Sequence, residues 1–539
     1  MFAALAVCAG GCKKKAPPPQ PPPPPAQAAR GVGSGSGGGV GPGSASGIGG
    51  GAFRMPGRVA NTEEYSAISE KSFHAVADDP LSTFSVDVDT ASYSNVRRFL
   101  RVGRMPPVDA VRIEELLNYF RYDDPVPEPG AEHPMRITTE LAACPWQPNH
   151  KLARIALRSR AIDLQDLPAT SLTFLLDVSG SMSDRDKLPL LQEALALLTE
   201  QLRSQDRVAI VVYAGAAGVV LPATPGSRRA EILAALERLE AGGSTAGAEG
   251  IQLAYRLARE NFLPQGNNRV ILATDGDFNV GLSSQGELVR LIEKERDAGV
   301  FLTVLGFGQG NLADARMEQL ADHGNGQYLY IDSALEARRA LVQQVGGTLA
   351  TVAKDVKIQV EFNPTRVAGY RLIGYENRLL EAQDFEDDKK DAGELGAGHS
   401  VVALYEVVPV GASESGGAPL RYQERSPTEA AKVSGELMTV KVRYKPPSGE
   451  QSVLVEQAVP DADRSIDEAG QEMRWSAVVA EYGMLLRGSA HKGEATWESA
   501  AALGQTALGA DPDGLRAELL YLIKTAQGLP PAVSASNGP

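Results

Sequence analysis

A multidomain α/β chain with a central doubly wound parallel sheet is the fold class this sequence predicts, and three observations carry it. Apolar strand-like runs alternate with amphipathic helical runs from about residue 170 to 345; period-two strands separated by polar loops follow beyond 351; helical periodicity returns from 468 to 525. The length of 539 residues is expected to divide into several domains. The segments read as follows: a signal-like stretch 1–12, a Pro/Gly-rich tether 13–57, a small α+β unit 58–165, the doubly wound unit 166–348, a β-sandwich 349–461, a helical cap 462–530 and a disordered tail 531–539.

The first twelve residues, MFAALAVCAGGC, form a short apolar run ending at Cys12, and Lys13, Lys14 and Lys15 follow it. This resembles a bacterial lipoprotein signal, and the resemblance implies lipidation of Cys12 after cleavage before it. No Lys or Arg precedes the run, so the start of translation is expected upstream. The run is too short to cross a membrane. Residues 16–57 are almost entirely Pro, then Gly and Ser, a composition that extends or coils and cannot build a core.

In the 58–165 segment a strand is expected over 83–89, helices over 94–100 and 111–120, and strands near 135–141 and 152–157. The run Thr170 to Leu176 is apolar enough for a strand buried on both faces, and it ends in Asp177. The helix predicted over 187–203 carries Leu188, Leu191, Leu195, Leu198 and Leu202 on one stripe. Strands at 207–213, 269–274, 300–307 and 327–331 alternate with helices at 228–239, 247–260, 286–298, 312–321 and 334–345. Such alternation gives a parallel sheet with functional loops at the C-terminal ends of its strands. Later strands are expected at 356–362, 400–408 and 438–444, and closing helices at 468–486, 495–507 and 513–525.

Composition removes several function classes. A net charge of -14 argues against a nucleic-acid binder, which needs clustered Lys and Arg. The three cysteines and six histidines show neither a CxxC nor an HExxH spacing, and no phosphate-binding GxxxxGK[ST] or dinucleotide-binding GxGxxG occurs after a strand. No small-molecule substrate is implied.

The candidate chemistry lies at the end of the 170–176 strand. Asp177-Val178-Ser179-Gly180-Ser181 offers one carboxylate and two hydroxyls on a tight loop, hard oxygen donors suited to Mg²⁺. Gly242-Gly243-Ser244-Thr245 and Thr274-Asp275-Gly276-Asp277 fall in loops at the same expected sheet edge. This set resembles the von Willebrand factor type A domain and its metal-ion-dependent adhesion site. The resemblance implies metal contacts from Asp177, Ser179, Ser181, Thr245 and Asp275, with Mg²⁺, Mn²⁺ or Ca²⁺ bound and a last ligand supplied by an Asp or Glu of a partner protein. No His or Lys stands close in sequence to act as a base, so no enzyme is expected.

Three motifs read as decoys. Asp275 to Asn279 begins like a calcium loop, but the required Gly and Glu positions hold Val280 and Gly286. Asp87-Val88-Asp89-Thr90-Ala91-Ser92 is expected to cap a helix. Cys144 reads as a buried apolar thiol. From Asn61 onward, FSVDVDTASYSNVRRFL before the type A segment and AVVAEYGMLLR after the sandwich resemble the bacterial YfbK-like lipoproteins. Together these readings describe a cell-envelope, membrane-anchored module that binds protein, or a scaffold whose metal loop only holds the fold.

Overall fold

The computed structural model describes residues 62–244, 247–276, 278, 285–343, 350–412 and 427–530. Cys12, the 13–57 tether, Thr245 and the 531–539 tail lie outside the described residues.

The central sheet runs Tyr328–Ile331, Val300–Phe307, Asn267–Thr274, Thr170–Asp177, Arg207–Tyr213, Ala217–Pro225. The first five strands are parallel, as their spacing through intervening helices predicts. The sixth corrects the all-parallel expectation: Ala217–Pro225 returns antiparallel to Arg207–Tyr213. A partly exposed edge strand interrupted by Pro222 lacks the apolar run that marks a buried strand, and an edge tolerates the proline.

Alternation along Thr170–Asp177 sends Leu172, Phe174 and Leu176 to one face and Leu175 to the other. Leu191 and Leu195 of the helix Leu188–Glu200 cover the first face, with Ile232 and Ala337. Ile251, Ile292 and Met317, from three further helices, cover the second. Strand order reverses at Thr170–Asp177, since the strand that follows in sequence and the one after the next helices flank it on opposite sides. The loops at that switch point therefore diverge and leave a crevice.

The remaining chain corrects the division into a 58–165 unit and a 349–461 sandwich, because the two segments build the sandwich together. One sheet runs His74–Ala75, Val367–Ile373, Ser400–Pro409, Lys151–Ser159, Met135–Ala143. The other runs Leu379–Leu380, Leu81–Ser85, Thr351–Phe362, Glu436–Lys445, Val453–Pro460. Phe84 pairs with Ile358, and Gln359 Nε2 donates to Thr83 Oγ1 across 276 residues of sequence. Ala153, Ile155 and Leu157 fill the inter-sheet core, whereas Leu152 and Ala156 of the same strand face outward.

That outer face is covered by helices from both ends of the chain. Ala91–Arg101 and Ile113–Tyr119 share a core with Gln471–Arg487, Trp497–Ala507 and Leu515–Gln527, around the buried Trp146 and Trp475. The closing helices are thus a layer over the sandwich. Buried ion pairs join this body to the type A sheet: Arg97 to Asp332 at 2.5 Å and Glu336 at 2.8 Å, and Arg112 to Asp314 at 2.5 Å. Among the described residues no helix is long and apolar enough to cross a membrane.

Candidate metal centre

Asp177 is the last residue of its strand and is fully buried. Its Oδ1 accepts the Ser179 backbone N–H at 2.8 Å, a turn that folds the loop back over the carboxylate. Its Oδ2 accepts hydroxyls from Tyr213 at 3.0 Å and Thr274 at 3.2 Å, contributed by the two flanking strands. Burial pushes the Asp177 carboxyl above its ordinary value against the Ser179 hydrogen bonds, and the charge of Asp275 adds to the push. An added cation would reverse that penalty.

Ser179 and Ser181 place their Oγ atoms 3.0 Å apart. Ser179 is buried and Ser181 is exposed, so the pair runs from the carboxylate out to the surface. Two backbone bonds, Gly180 N–H to Gly243 O at 3.1 Å and Gly242 N–H to Val178 O at 2.8 Å, clamp the neighbouring loop onto this one. That clamp holds Gly242 and Gly243 beside the site.

Asp275 directly follows the adjoining strand Asn267–Thr274 and is also fully buried. Lys187 Nζ donates to its Oδ2 at 2.9 Å and to Asn311 Oδ1 at 3.3 Å. Burial works to raise the Asp275 carboxyl, but hydrogen bonds from Lys187 and Asn311, the Lys187 charge and a Ser181 hydrogen bond overcome it, and it lies below its ordinary value. Gly276, at φ +107°, has no room for a Cβ, which would stand 2.5 Å from Ala313 N and Asn311 O.

The structure brings Asp177, Ser179, Ser181 and Asp275 together. It corrects the expectation that no Lys stands beside the loops: Lys187 is there, buried, with its ammonium engaged by Asp275. Sequence reading also missed Tyr213, Thr274 and Asn311. The signals were slight: Thr274 immediately precedes Asp275, and Tyr213 ends the strand beside Asp177.

The donors fit a small hard cation. They are all oxygens, and two hydroxyls 3.0 Å apart match the edge of an octahedron with metal–oxygen distances of about 2.0–2.1 Å. Among the described residues no three His, Cys, Asp or Glu side chains gather to hold a metal, so the hydroxyls are essential to such a site. Ser181 opens on a cavity of about 790 Å³ that Arg98, Arg104 and Lys187 also line.

The Asp87 loop behaves differently from its expected role. Thr90 stands at the N-cap of Ala91–Arg101 but gives no side-chain cap bond. Instead Asp87 and Asp89 bind Arg378 at 3.1 and 3.4 Å, and Asp89 Oδ1 accepts the Tyr328 N–H at 2.8 Å. Cys144 is buried and free, as expected, and burial raises its thiol far above the usual range.

Comparison with known proteins places this region in a known domain family. Residues 171–344 match the von Willebrand factor type A domain, a fold that generally mediates protein–protein interaction. Residues 59–154 match a second family described as von Willebrand factor, and 347–529 match "Uncharacterized protein YfbK, C-terminal". YfbK of Escherichia coli K12 is 42% identical over 478 residues, which cover 87% of this chain and 82% of that protein. The chain belongs to the YfbK family. Human inter-alpha-trypsin inhibitor heavy chain H3 is 29% identical over 202 residues, 35% of this chain and 22% of that one. A solved von Willebrand factor type A protein from Catenulispora acidiphila superposes with TM-score 0.40 and 17% identity, over 70% of this chain and 88% of its own.

Proposed function

We propose that the chain is a lipid-anchored binding module of the cell envelope that captures an acidic side chain of a partner protein through a divalent cation. Asp177, Ser179, Ser181, Thr245 and Asp275 would hold that cation, and Cys12 would carry the lipid. The observation that supports this best is the hydroxyl pair leading from buried Asp177 to exposed Ser181. When bound, Mg²⁺, Mn²⁺ or Ca²⁺ supplies a Lewis-acidic position for a carboxylate oxygen.

The residues of the chain do the rest. Tyr213 and Thr274 fix Asp177 from both sides. Lys187 offsets the charge of Asp275, so a dication leaves the site positive and receptive to a carboxylate. Around the adjoining cavity Arg98 is paired with Glu63 at 2.7 Å, and Arg104 and Asp184 bring one charge of each sign, so the positive charge at the site comes from the dication. No catalytic role is proposed, since Lys187 is engaged as a donor rather than free as a base.

One observation favours the scaffold reading: the Lys187–Asp275 pair satisfies that carboxylate without any metal. Partner recovery separates the two. Immobilised full chain is exposed to envelope proteins with Mn²⁺ or with a chelator, beside Asp177→Ala. The adhesion reading expects proteins retained with Mn²⁺ and lost both with chelator and in the variant. Retention indifferent to both assigns binding to the sandwich or helices. Fatty-acid labelling lost in Cys12→Ala checks the anchor.

A further inference from the structure

A second cavity, of about 390 Å³, opens where the type A domain, the sandwich and the closing helices meet. Its charged walls are cationic: Arg121, Arg158 and Arg339 line it, and Asp513 is the sole carboxylate among the described lining residues. Asp513 is exposed and accepts from Gln343 at 3.4 Å.

Three donor groups on residues lining this space lack acceptors. Arg158 on Lys151–Ser159 stands in register with Ser400 on Ser400–Pro409. Neither Arg158 Nε nor Ser400 Oγ, both buried, has a hydrogen-bond partner. Arg339 gives Nε and Nη2 to Glu336, yet its Nη1 is buried without a partner too. Burial, then the nearby charge of Arg121, lowers the proton affinity of Arg158 against the opposing charges of Asp124 and Asp123. Burial and Arg158 likewise push His399 down to about 4, which keeps it neutral.

Orphaned donors from three separate segments around one space are costly unless an acceptor completes them. Half-buried Ile162, Val342 and Leu515 give the same cavity an apolar wall. Its volume lies within the range of about 300–1,000 Å³ usual for small-molecule sites.

We propose that this cavity binds a small organic anion, a phosphate ester or a carboxylate. Its oxyanion would take Arg158 and Ser400, with Arg121 at the mouth, and its organic part would lie on Ile162, Val342 and Leu515. Such a ligand touches all three bodies and ties the type A domain to the sandwich. The site shares no residue with the metal centre and does not depend on it.

Calorimetric titration of the full chain with phenyl phosphate, benzoate and uncharged benzyl alcohol tests this. Saturable one-site binding of an anion is expected, with none for benzyl alcohol; the tighter anion assigns the phosphate or the carboxylate class. Arg158→Gln is expected to weaken binding at least tenfold without lowering the melting temperature, because Arg158 has no internal partner to lose. Ser400→Ala, expected to weaken binding several-fold, serves if the first variant fails to fold. Absence of saturable binding by both anions, or equal binding in the folded variants, overturns the proposal.

Discussion

The loop Asp177-Val178-Ser179 and the loop Asp87-Val88-Asp89 leave their strands through the same turn, the first Asp accepting the backbone N–H two residues on at 2.8 Å in both. Their second carboxylate oxygens meet different neighbours. Asp177 Oδ2 accepts two neutral hydroxyls, whereas Asp87 Oδ2 faces the Arg378 guanidinium. Arg378 also binds Asp322 at 2.6 Å and Glu318 at 3.3 Å, so one cation holds four carboxylates. The local turn is common to both loops; the charge that folds against it decides whether the carboxylate is spent on an ion pair or left for a cation.

The largest expected effect follows from removing that charge. Arg378→Met leaves buried Asp87 and Asp89 uncompensated, and a loss of about 3–5 kcal/mol is expected. A lower denaturant midpoint at unchanged m-value checks it. At the other loop, Asp177→Asn keeps an acceptor for the Ser179 N–H, with the Tyr213 and Thr274 hydroxyls turning to accept from its amide N–H, and is expected to cost only about 1 kcal/mol while abolishing divalent-cation binding.

The pH dependence sharpens the contrast. Burial, then the charges of Asp87 and Asp322, raises the Asp89 carboxyl well above its ordinary value. A raised value means that the folded chain holds a proton the unfolded chain releases. The stabilisation is therefore complete below about pH 4, the ordinary carboxylate value, and is lost as pH rises through the raised one. Asp89→Asn retains an acceptor for the Tyr328 N–H and is expected to reduce the decline of stability with rising pH, followed by unfolding at a series of pH values. The smallest effect on metal binding is expected of Tyr213→Phe, which removes one hydroxyl from Asp177: metal affinity changed less than tenfold, with about 0.5–1.5 kcal/mol of stability lost.

The type A sheet was legible because its buried strands are contiguous apolar runs and all but Arg207–Tyr213 are followed by a helix, and the loop donors lie at the strand ends where such sheets place them. Lys187 escaped notice because its pairing with Asp275 spans 88 residues and resembles an ordinary helix start in sequence. The shared sandwich escaped for the same reason on a larger scale. Leu81–Ser85 looks like the start of a small domain until Thr351–Phe362 pairs with it, and period-two alternation names a strand without naming its neighbour. Arg378 carries no sequence signal for the Asp87 loop, 291 residues away.

Calorimetric titration of Mg²⁺ and Mn²⁺ into the chelator-treated full chain tests the central claim most directly, with Asp177→Asn and Asp89→Asn in parallel. One saturable site is expected in the wild type and in Asp89→Asn, and none in Asp177→Asn. Binding that survives Asp177→Asn, or that disappears with Asp89→Asn in a folded chain, would contradict the assignment of the two loops.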